Sequence, residues 1–274
     1  MNEIHDANRR GWDAAAKAGM ADFRHDVDWR ECHRSAGLAL DERELKWLGD
    51  LRGKKACVLG SGDNRVVFAL VGLGAEVTSV DISEGQLNVA RQRAAQLGLQ
   101  IRFLRADVTD LSALDSDTFD LVYTGGHVAV WVSDLRKYYA EAARILRPGG
   151  LFLVNEYHPF RRIWDEKAPH LRVRSSYFDL GPDRYDRAEG IPGAEPGSLP
   201  SYEFRWTISQ YLMAVLDAGC ELLAVDEFGD RPEAHEGGPS LAGLPQCLLL
   251  AARKGAQRRA PAGPVPAVGP QLGA

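Results

Sequence analysis

The chain has 274 residues, of which 45% are hydrophobic, and a formal net charge of −5. This length suffices for one α/β domain with a full core, and the acidic balance argues against a nucleic-acid partner, whose phosphates require basic surfaces. The sequence predicts neither a signal peptide nor a membrane-spanning run. Because the four cysteines are scattered without a CxxC pair, we expect a cytoplasmic protein with no disulfide and no metal site.

Residues 1–52 are interpreted as a helical N-terminal cover. Trp12 lies on a possible apolar face of a first helix, and Leu45 and Leu48 lie on that of a second. Aromatic residues at helical spacing usually belong to a core. We therefore favour a layer that covers the sheet over a lid in which Trp12 or Trp29 contacts a ligand.

Residues 55–81 have the layout of a nucleotide-binding βαβ unit. An apolar run breaks into Gly60-Ser61-Gly62, a helix follows, and a second, β-branched run ends at Asp81. Glycines let the backbone approach a ligand, and a carboxylate at the end of the second strand is placed to bind ribose hydroxyls. This stretch predicts a nucleotide site without specifying the nucleotide.

Strands continue to alternate with helices along the chain, which predicts a parallel sheet with right-handed crossovers. After the βαβ unit, the predicted strands are 101–104, 119–123, 151–155, 221–227 and 246–252. The alternation stops at 156–205, an aromatic insertion between strands five and six that we interpret as a substrate cap. Residues 255–274 are rich in Ala, Pro and Gly and predict a disordered tail, so 1–254 form a single domain.

Four stretches give the chain its resemblance to class I S-adenosylmethionine-dependent methyltransferases. They are Gly60-Ser61-Gly62, Asp81, Ala106-Asp107-Val108 and Leu146-Arg147-Pro148-Gly149-Gly150. The resemblance implies an α/β fold with a Rossmann-like, doubly wound, seven-stranded sheet whose last two strands form an antiparallel hairpin. It also implies S-adenosyl-L-methionine as the cofactor and methyl transfer to an acceptor as the activity.

The same resemblance assigns roles at the cofactor site. The glycine loop would approach the methionine and ribose, Asp81 would accept hydrogen bonds from the ribose hydroxyls, and Ile82 would pack on the adenine. Asp107 would accept from the adenine amino group, and the Val108 N–H would donate to a ring nitrogen. The complete implied cofactor set is Gly60, Ser61, Gly62, Asn64, Asp81, Ile82, Gln86, Asp107, Val108, Thr124 and Gly125.

Other members of this set follow strands four and two. Thr124 and Gly125, at the end of strand four, would lie beside the sulfonium, and Gln86 lies in a capping box after strand two. Two positions depart from the family pattern. Val58 replaces a usual acid, and Asn64 replaces a usual third glycine, so that its side chain would itself contact the cofactor.

Two other functions are compatible with a glycine loop and an acid after strand two. An NAD(P)-dependent oxidoreductase needs close approach of a pyrophosphate, but Asp63-Asn64-Arg65 occupies that position, and Asp63 would repel phosphate. A positively charged sulfonium tolerates an acid, which favours the methyltransferase. A non-catalytic S-adenosylmethionine-binding protein is the second alternative, although the aromatic insertion favours an enclosed acceptor pocket.

The acceptor is expected to be a small molecule with an O, N, S or C nucleophile. Residues 124–131, TGGHVAVW, lack the Asn/Asp-Pro-Pro-aromatic motif of enzymes that methylate amino groups of nucleic-acid bases or glutamine. No carboxylate cluster indicates the divalent-metal site of catechol-type enzymes.

Candidate acceptor-site residues follow strands four and five. His127 and His158 are candidate bases, and His127 is preferred because it follows two glycines; a structural role for either histidine is equally compatible with the sequence. Trp131 and Tyr157 are aromatic candidates for acceptor contact. Arg161 is a candidate for binding an acceptor carboxylate or phosphate.

Overall fold

The structure is a computed structural model that describes residues 2–20, 28–62, 65–165, 168–229, 241 and 243–255. Asn64 lies outside the described residues, and so does the predicted tail apart from Gly255. The tail interpretation and the proposed role of Asn64 therefore stay predictions. Among the described residues, no helix is both long enough and apolar enough to cross a membrane.

The described residues form six α-helices and nine strands. The helices are α1 (Glu3–Lys17), α2 (Glu42–Leu48), α3 (Arg65–Gly72), α4 (Glu84–Leu97), α5 (Leu135–Ile145) and α6 (Ile208–Asp217). The strands are β1 (Lys55–Leu59), β2 (Glu76–Asp81), β3 (Arg102–Arg105), β4 (Phe119–Gly125), β5 (Leu146–Tyr157), β6 (Asp183–Asp186), β7 (Pro200–Glu203), β8 (Cys220–Phe228) and β9 (Cys247–Lys254).

Seven of the strands form one sheet in the order β3-β2-β1-β4-β5-β9-β8. The first five are parallel, and β9 runs antiparallel to both β5 and β8. The predicted Rossmann-like sheet and its terminal antiparallel hairpin are thus confirmed. The strand order reverses between β1 and β4, which is where ligands bind in sheets of this type, outside the carboxyl ends of the strands.

Both faces of the sheet are covered, as continuous apolar parallel strands require. On one face, Tyr138 and Tyr139 of α5 are fully buried, and the Tyr139 ring packs edge-on against Phe152 at 5.1 Å. On the other face, Phe68 of α3 is fully buried and lies 5.9 Å from the ring of Trp29. Trp29 is therefore a core residue.

The N-terminal helix and the insertion meet above the sheet. Within 156–205, β6 and β7 form a separate antiparallel pair. The Asn8 side chain of α1 accepts from the Tyr202 N–H at 2.8 Å and donates to the Tyr202 carbonyl at 2.9 Å. The Asn8 side chain thus pairs with both backbone groups of Tyr202, which fixes α1 against β7.

Candidate active site

A cavity of about 400 Å³ lies at the carboxyl ends of β1, β2 and β4. Its volume falls within the range of small-molecule sites, about 300–1,000 Å³. The sequence-predicted residues that line it are Gly60, Ser61, Gly62, Asp81, Ile82, Gln86, Asp107, Val108, Gly125, His127, Trp131 and Tyr157. One cavity therefore brings together predicted cofactor residues and predicted acceptor residues.

The glycine loop after β1 packs tightly against the end of β4. Gly60 has a φ of +64°, and a Cβ at this position would lie 2.6 Å from both methyl groups of Val128. A side chain fits neither the backbone conformation nor the available space. The Ser61 and Ser79 hydroxyls share a hydrogen bond of 2.8 Å, which ties the loop to β2.

Asp81 is held at the end of β2 by backbone donors. Its Oδ1 accepts from the Ser83 N–H at 2.8 Å, and its Oδ2 accepts from the Gly62 N–H at 2.9 Å. Burial raises the pKa of Asp81, and these backbone hydrogen bonds oppose the rise. The backbone donors orient the carboxylate at the cavity, where it can accept a hydrogen bond from a ligand hydroxyl.

Asp107, after β3, is engaged by the N-terminal helix. Its Oδ2 accepts from His5 Nδ1 at 2.7 Å, while its Oδ1 accepts from the N–H and hydroxyl of Thr109. The Ser133 N–H donates to His5 Nε2 at 2.9 Å, so a neutral ring carries its proton on Nδ1. Burial raises the pKa of Asp107, but the hydrogen bonds from His5 and Thr109 outweigh burial, and the pKa lies below its usual value.

Two further contacts place α1 at the cavity. Asp13 Oδ1 accepts from the Ser83 hydroxyl at 2.6 Å and from the Gly85 N–H at 3.0 Å. Trp12 lines the cavity and packs edge-on against Trp131 at 5.2 Å. From the sequence we favoured a layer that only covers the sheet over a lid in which Trp12 contacts a ligand. The structure supports the second alternative for Trp12, because α1 borders the cavity.

Gln86 is a buried polar residue of the cavity wall. Its side-chain nitrogen and oxygen are both buried, and neither has a hydrogen-bond partner in the described part of the chain. Buried amides are nearly always hydrogen-bonded in folded proteins. Gln86 therefore places a donor and an acceptor without partners in the cavity wall.

The end of β4 forms the opposite wall. A Cβ on Gly125 would lie 2.5 Å from the Tyr123 hydroxyl, so only glycine fits there. His127 has a φ of +81°, and its ring lies 4.4 Å from that of Tyr157. Its Nε2 accepts from Arg162 Nη1 at 2.6 Å. Burial, and then the charges of the arginines at 161 and 162, lower the pKa of His127 well below its usual value.

Comparison with known proteins identifies the domain that carries this cavity. Residues 58–154 match the family model described as "Methyltransferase domain". A crystal structure of an S-adenosylmethionine-dependent methyltransferase from Mesorhizobium loti is 26% identical and superposes with a TM-score of 0.59. The superposition covers 76% of this chain and 94% of that one. Residues 58–154 are therefore a methyltransferase domain, and the chain is similar to S-adenosylmethionine-dependent methyltransferases over most of its length.

Two curated methyltransferases are similar over part of their length. The methyltransferase YbaJ of Bacillus subtilis (strain 168) is 27% identical over 188 residues, which is 63% of this chain and 68% of the relative. The demethylmenaquinone methyltransferase of Thermus thermophilus is 34% identical over 140 residues, which is 51% of this chain and 59% of the relative. The chain thus spans about two thirds or less of these two relatives.

The residues of this methyltransferase fit S-adenosyl-L-methionine. The two unpartnered atoms of Gln86, the side-chain-free approach at Gly60 and the oriented carboxylate of Asp81 match a ligand with amine, carboxylate and ribose hydroxyl groups. The mainly apolar wall, which includes Ile82 and Val108, matches its adenine.

Three predicted site residues do not line the cavity. Thr124 lies between Tyr123 and Gly125 on β4, and adjacent residues of a strand face opposite sides of the sheet. The Thr124 hydroxyl therefore points away from the cavity and forms a hydrogen bond with the buried Tyr138 hydroxyl. His158 Nδ1 accepts from the Phe160 N–H, and its Nε2 bonds Glu227 at 2.6 Å. With both nitrogens engaged outside the cavity, the geometry gives His158 a structural role.

Arg161 is the third of these residues. Its guanidinium lies 4.2 Å from the centre of the Tyr157 ring, and the side chain is buried without reaching the cavity wall. The direct contact of Arg161 with an acceptor is therefore not supported by the geometry. Its charge still acts on the site, because it lowers the pKa of His127.

Several cavity residues were not identified from the sequence. They include His5, Asn8, Val66, Tyr123, Val132 and Asn155. His5 and Asn8 reach the cavity only because α1 crosses the end of the sheet. In the chain, His5 is 102 residues away from its partner Asp107. The alternation of side chains along β4 is the one signal that places Tyr123 with Gly125.

Proposed function

We propose that this methyltransferase transfers the methyl group of S-adenosyl-L-methionine to a small-molecule acceptor by in-line displacement. The observation that carries the proposal is the shared cavity. It is lined at one side by the glycine loop and Asp81 and at the other by His127, Trp131 and Tyr157.

The cofactor half of the proposed site is formed mainly by carboxylates and amides. Asp81 holds the ribose hydroxyls, Asp107 accepts from the adenine amino group, and Gln86 supplies a hydrogen bond to a polar end of the cofactor. His5 orients the Asp107 carboxylate through its hydrogen bond of 2.7 Å. When bound, the cofactor supplies a methyl carbon already activated by the sulfonium.

The acceptor half is aromatic and positions the nucleophile. Trp131 and Tyr157 provide flat apolar walls, and Trp131 is held in place by Trp12 of α1. Catalysis of this kind depends mainly on positioning reactants in a site shielded from water. We further propose that 1–254 act as one domain and that 156–205 form a substrate cap, which the packing of β7 against α1 supports.

The small-molecule class of the acceptor is supported by the relatives. The Thermus thermophilus relative is named a demethylmenaquinone methyltransferase. The nicotinamide-dependent alternative is not favoured, because the matched domain belongs to methyltransferases. The non-catalytic alternative is left to experiment.

Calorimetric titration with S-adenosylhomocysteine tests the cofactor half. We expect the wild-type chain to bind, and Asp81→Asn to bind about tenfold or more weakly, because a hydrogen bond to a charged group contributes about 1.5–3 kcal/mol. Asp226→Asn is the matched control and should leave binding unchanged, because Asp226 lies on the edge strand β8 and does not line the cavity. Failure of the wild type to bind would refute the proposal.

A screen of metabolite extracts by mass spectrometry tests turnover. Incubation with S-adenosylmethionine should produce at least one species that gains a single methyl group, and Asp81→Asn should reduce its rate of formation. Cofactor binding without any methylated product would instead favour the non-catalytic alternative.

A further inference from the structure

Arg162 determines which nitrogen of His127 carries a proton. Its Nη1 lies 2.6 Å from His127 Nε2, and a guanidinium only donates hydrogen bonds. Nε2 is therefore the acceptor, and the neutral ring carries its proton on Nδ1. Glu203 of β7 forms an ion pair with Arg162 Nη2 and accepts from the Tyr185 hydroxyl at 3.2 Å, so the insertion holds the guanidinium in place.

The other nitrogen of the ring has no hydrogen-bond partner among the described residues. His127 Nδ1 is buried, and no described residue accepts a hydrogen bond from it. A buried donor without a partner costs about 1–3 kcal/mol. The ring belongs to the cavity wall, beside Tyr157 and close to the glycines that end β4. An oxygen of a bound acceptor would remove that cost.

The charges around His127 oppose protonation of the ring. Burial lowers the pKa of His127, the guanidiniums of Arg162 and Arg161 lower it further, and Glu203 is already paired with Arg162. Burial raises the pKa of Glu156 to about 8, so this neighbour is mostly uncharged at neutral pH. Moreover, the basic nitrogen is occupied by Arg162. The geometry therefore does not support His127 as a general base.

We propose that His127 donates a hydrogen bond from Nδ1 to an ionised oxygen of the acceptor, and that Arg162 is the residue that positions its ring for this contact. The inference rests on the proposed function and narrows the acceptor to planar molecules with an acidic hydroxyl or carboxyl group. The planar shape follows from the aromatic walls formed by Trp131 and Tyr157.

The chemical step balances without a protein base. The acceptor loses its proton to solvent as it binds, and the oxygen supplies the electron pair of the new oxygen–carbon bond. The carbon–sulfur bond breaks at the same time, and its electron pair stays on sulfur. His127 and Arg162 keep their protons throughout, and their contribution is to favour the anion over the neutral acceptor.

A chromophoric probe tests the anion preference directly. We would add 4-nitrophenol to the chain saturated with S-adenosylhomocysteine and follow the phenolate absorbance across pH. The pKa of the bound phenol should be at least one pH unit below that of the free phenol, which corresponds to a tenfold preference for the anion. Competition by benzoate distinguishes the two acceptor classes. If benzoate displaces the phenolate, the acceptor class includes carboxylic acids; if it does not, the class is restricted to hydroxyl compounds. Either result is compatible with an oxyanion site.

Three variants test the roles of the His127 ring and of Arg162. His127→Phe and Arg162→Met should both abolish the preference for the phenolate, while Arg162→Lys, which still donates, should restore part of it. Arg174→Met is the matched control, because Arg174 pairs with Asp183 and does not line the cavity. Binding of S-adenosylhomocysteine in each variant checks that the chain is folded.

Nitrogen NMR of labelled histidine reports the tautomer independently of any acceptor. We expect His127 to carry its proton on Nδ1 in the wild type and to change tautomer or titrate normally in Arg162→Met. A proton on Nε2 in the wild type, or a phenolate preference that survives His127→Phe, would overturn the inference. Because S-adenosylhomocysteine binding is measured separately, either result would leave the proposed function standing.

Discussion

Glu156, near the end of β5, makes the stability of this protein depend on pH in an unusual direction. Its side chain is 1% exposed. Its Oε1 accepts from the Ala129 N–H at 3.2 Å, whereas its Oε2 has no partner in the described part of the chain. Burial raises the pKa of this carboxyl to about 8, and backbone N–H groups of residues 127–129 only partly oppose the rise.

The expected size of the effect follows from the two pKa values. An unperturbed glutamate has a pKa of 4.5, and the folded-state value is about 8. This difference of about 3.5 corresponds to roughly 5 kcal/mol, at about 1.4 kcal/mol for each pH unit. Because the folded state holds the proton more tightly, the stabilisation is fully present below pH 4.5 and is lost as pH rises through about 8. Glu156→Gln removes the titrating group.

Urea denaturation at several pH values between about 5 and 8.5 measures this effect. The free energy of unfolding of the wild type should decrease relative to that of Glu156→Gln by about 1 kcal/mol or more for each pH unit. Glu141→Gln is the control, because the hydrogen bond from Arg144 lowers the pKa of Glu141 and keeps it ionised over this range. Parallel profiles for the wild type and Glu156→Gln would refute the reasoning.

Two further substitutions test the packing around the cavity. Gly60→Ala should weaken S-adenosylhomocysteine binding about tenfold or more, because the added Cβ would contact Val128. The control is Gly98→Ala: Gly98 has a similar φ but open space around it, so this change should cost only about 1–2 kcal/mol of stability. Equal calorimetric affinities for the two variants would contradict this explanation. Tyr123→Phe should lower the free energy of unfolding by about 1–3 kcal/mol, since it removes the 2.8 Å hydrogen bond to the buried Glu44 carboxylate. An unchanged melting temperature would show that Glu44 finds another donor.

Most of the fold was predictable because its signals are local. The glycine loop, Asp81 and the alternation of apolar strands with capped helices are short-range patterns, and they correctly indicated a Rossmann-like sheet with a terminal hairpin. Helix α4 illustrates this: Ser83 caps its first turn, and Gly98 ends it in the left-handed conformation, as the sequence predicted. The Gln86 side chain does not complete the predicted capping box, because neither its nitrogen nor its oxygen has a partner among the described residues. The strand pair β6–β7 within the insertion was not predicted, because its residues lack the regular alternation of a half-buried strand.

The candidate site was predictable only in part. The parallel strands bring their carboxyl ends to one edge, so residues that follow β1, β2 and β3 were expected to meet, and Gly60, Asp81 and Asp107 do line one cavity. Their binding roles stay predictions. Thr124 was misplaced because adjacent residues of a strand face opposite sides, and the spacing of the motif does not specify which side.

Local sequence patterns are enough to predict the fold class and the cofactor edge of the sheet, because each depends on residues that lie close together in the chain. The folded packing is what brings α1 to the cavity, through His5 and Trp12, and what places Arg162 at the basic nitrogen of His127. Those contacts join segments 35 or more residues apart. Their geometry depends on how helices and the insertion pack over the sheet, which no local pattern specifies.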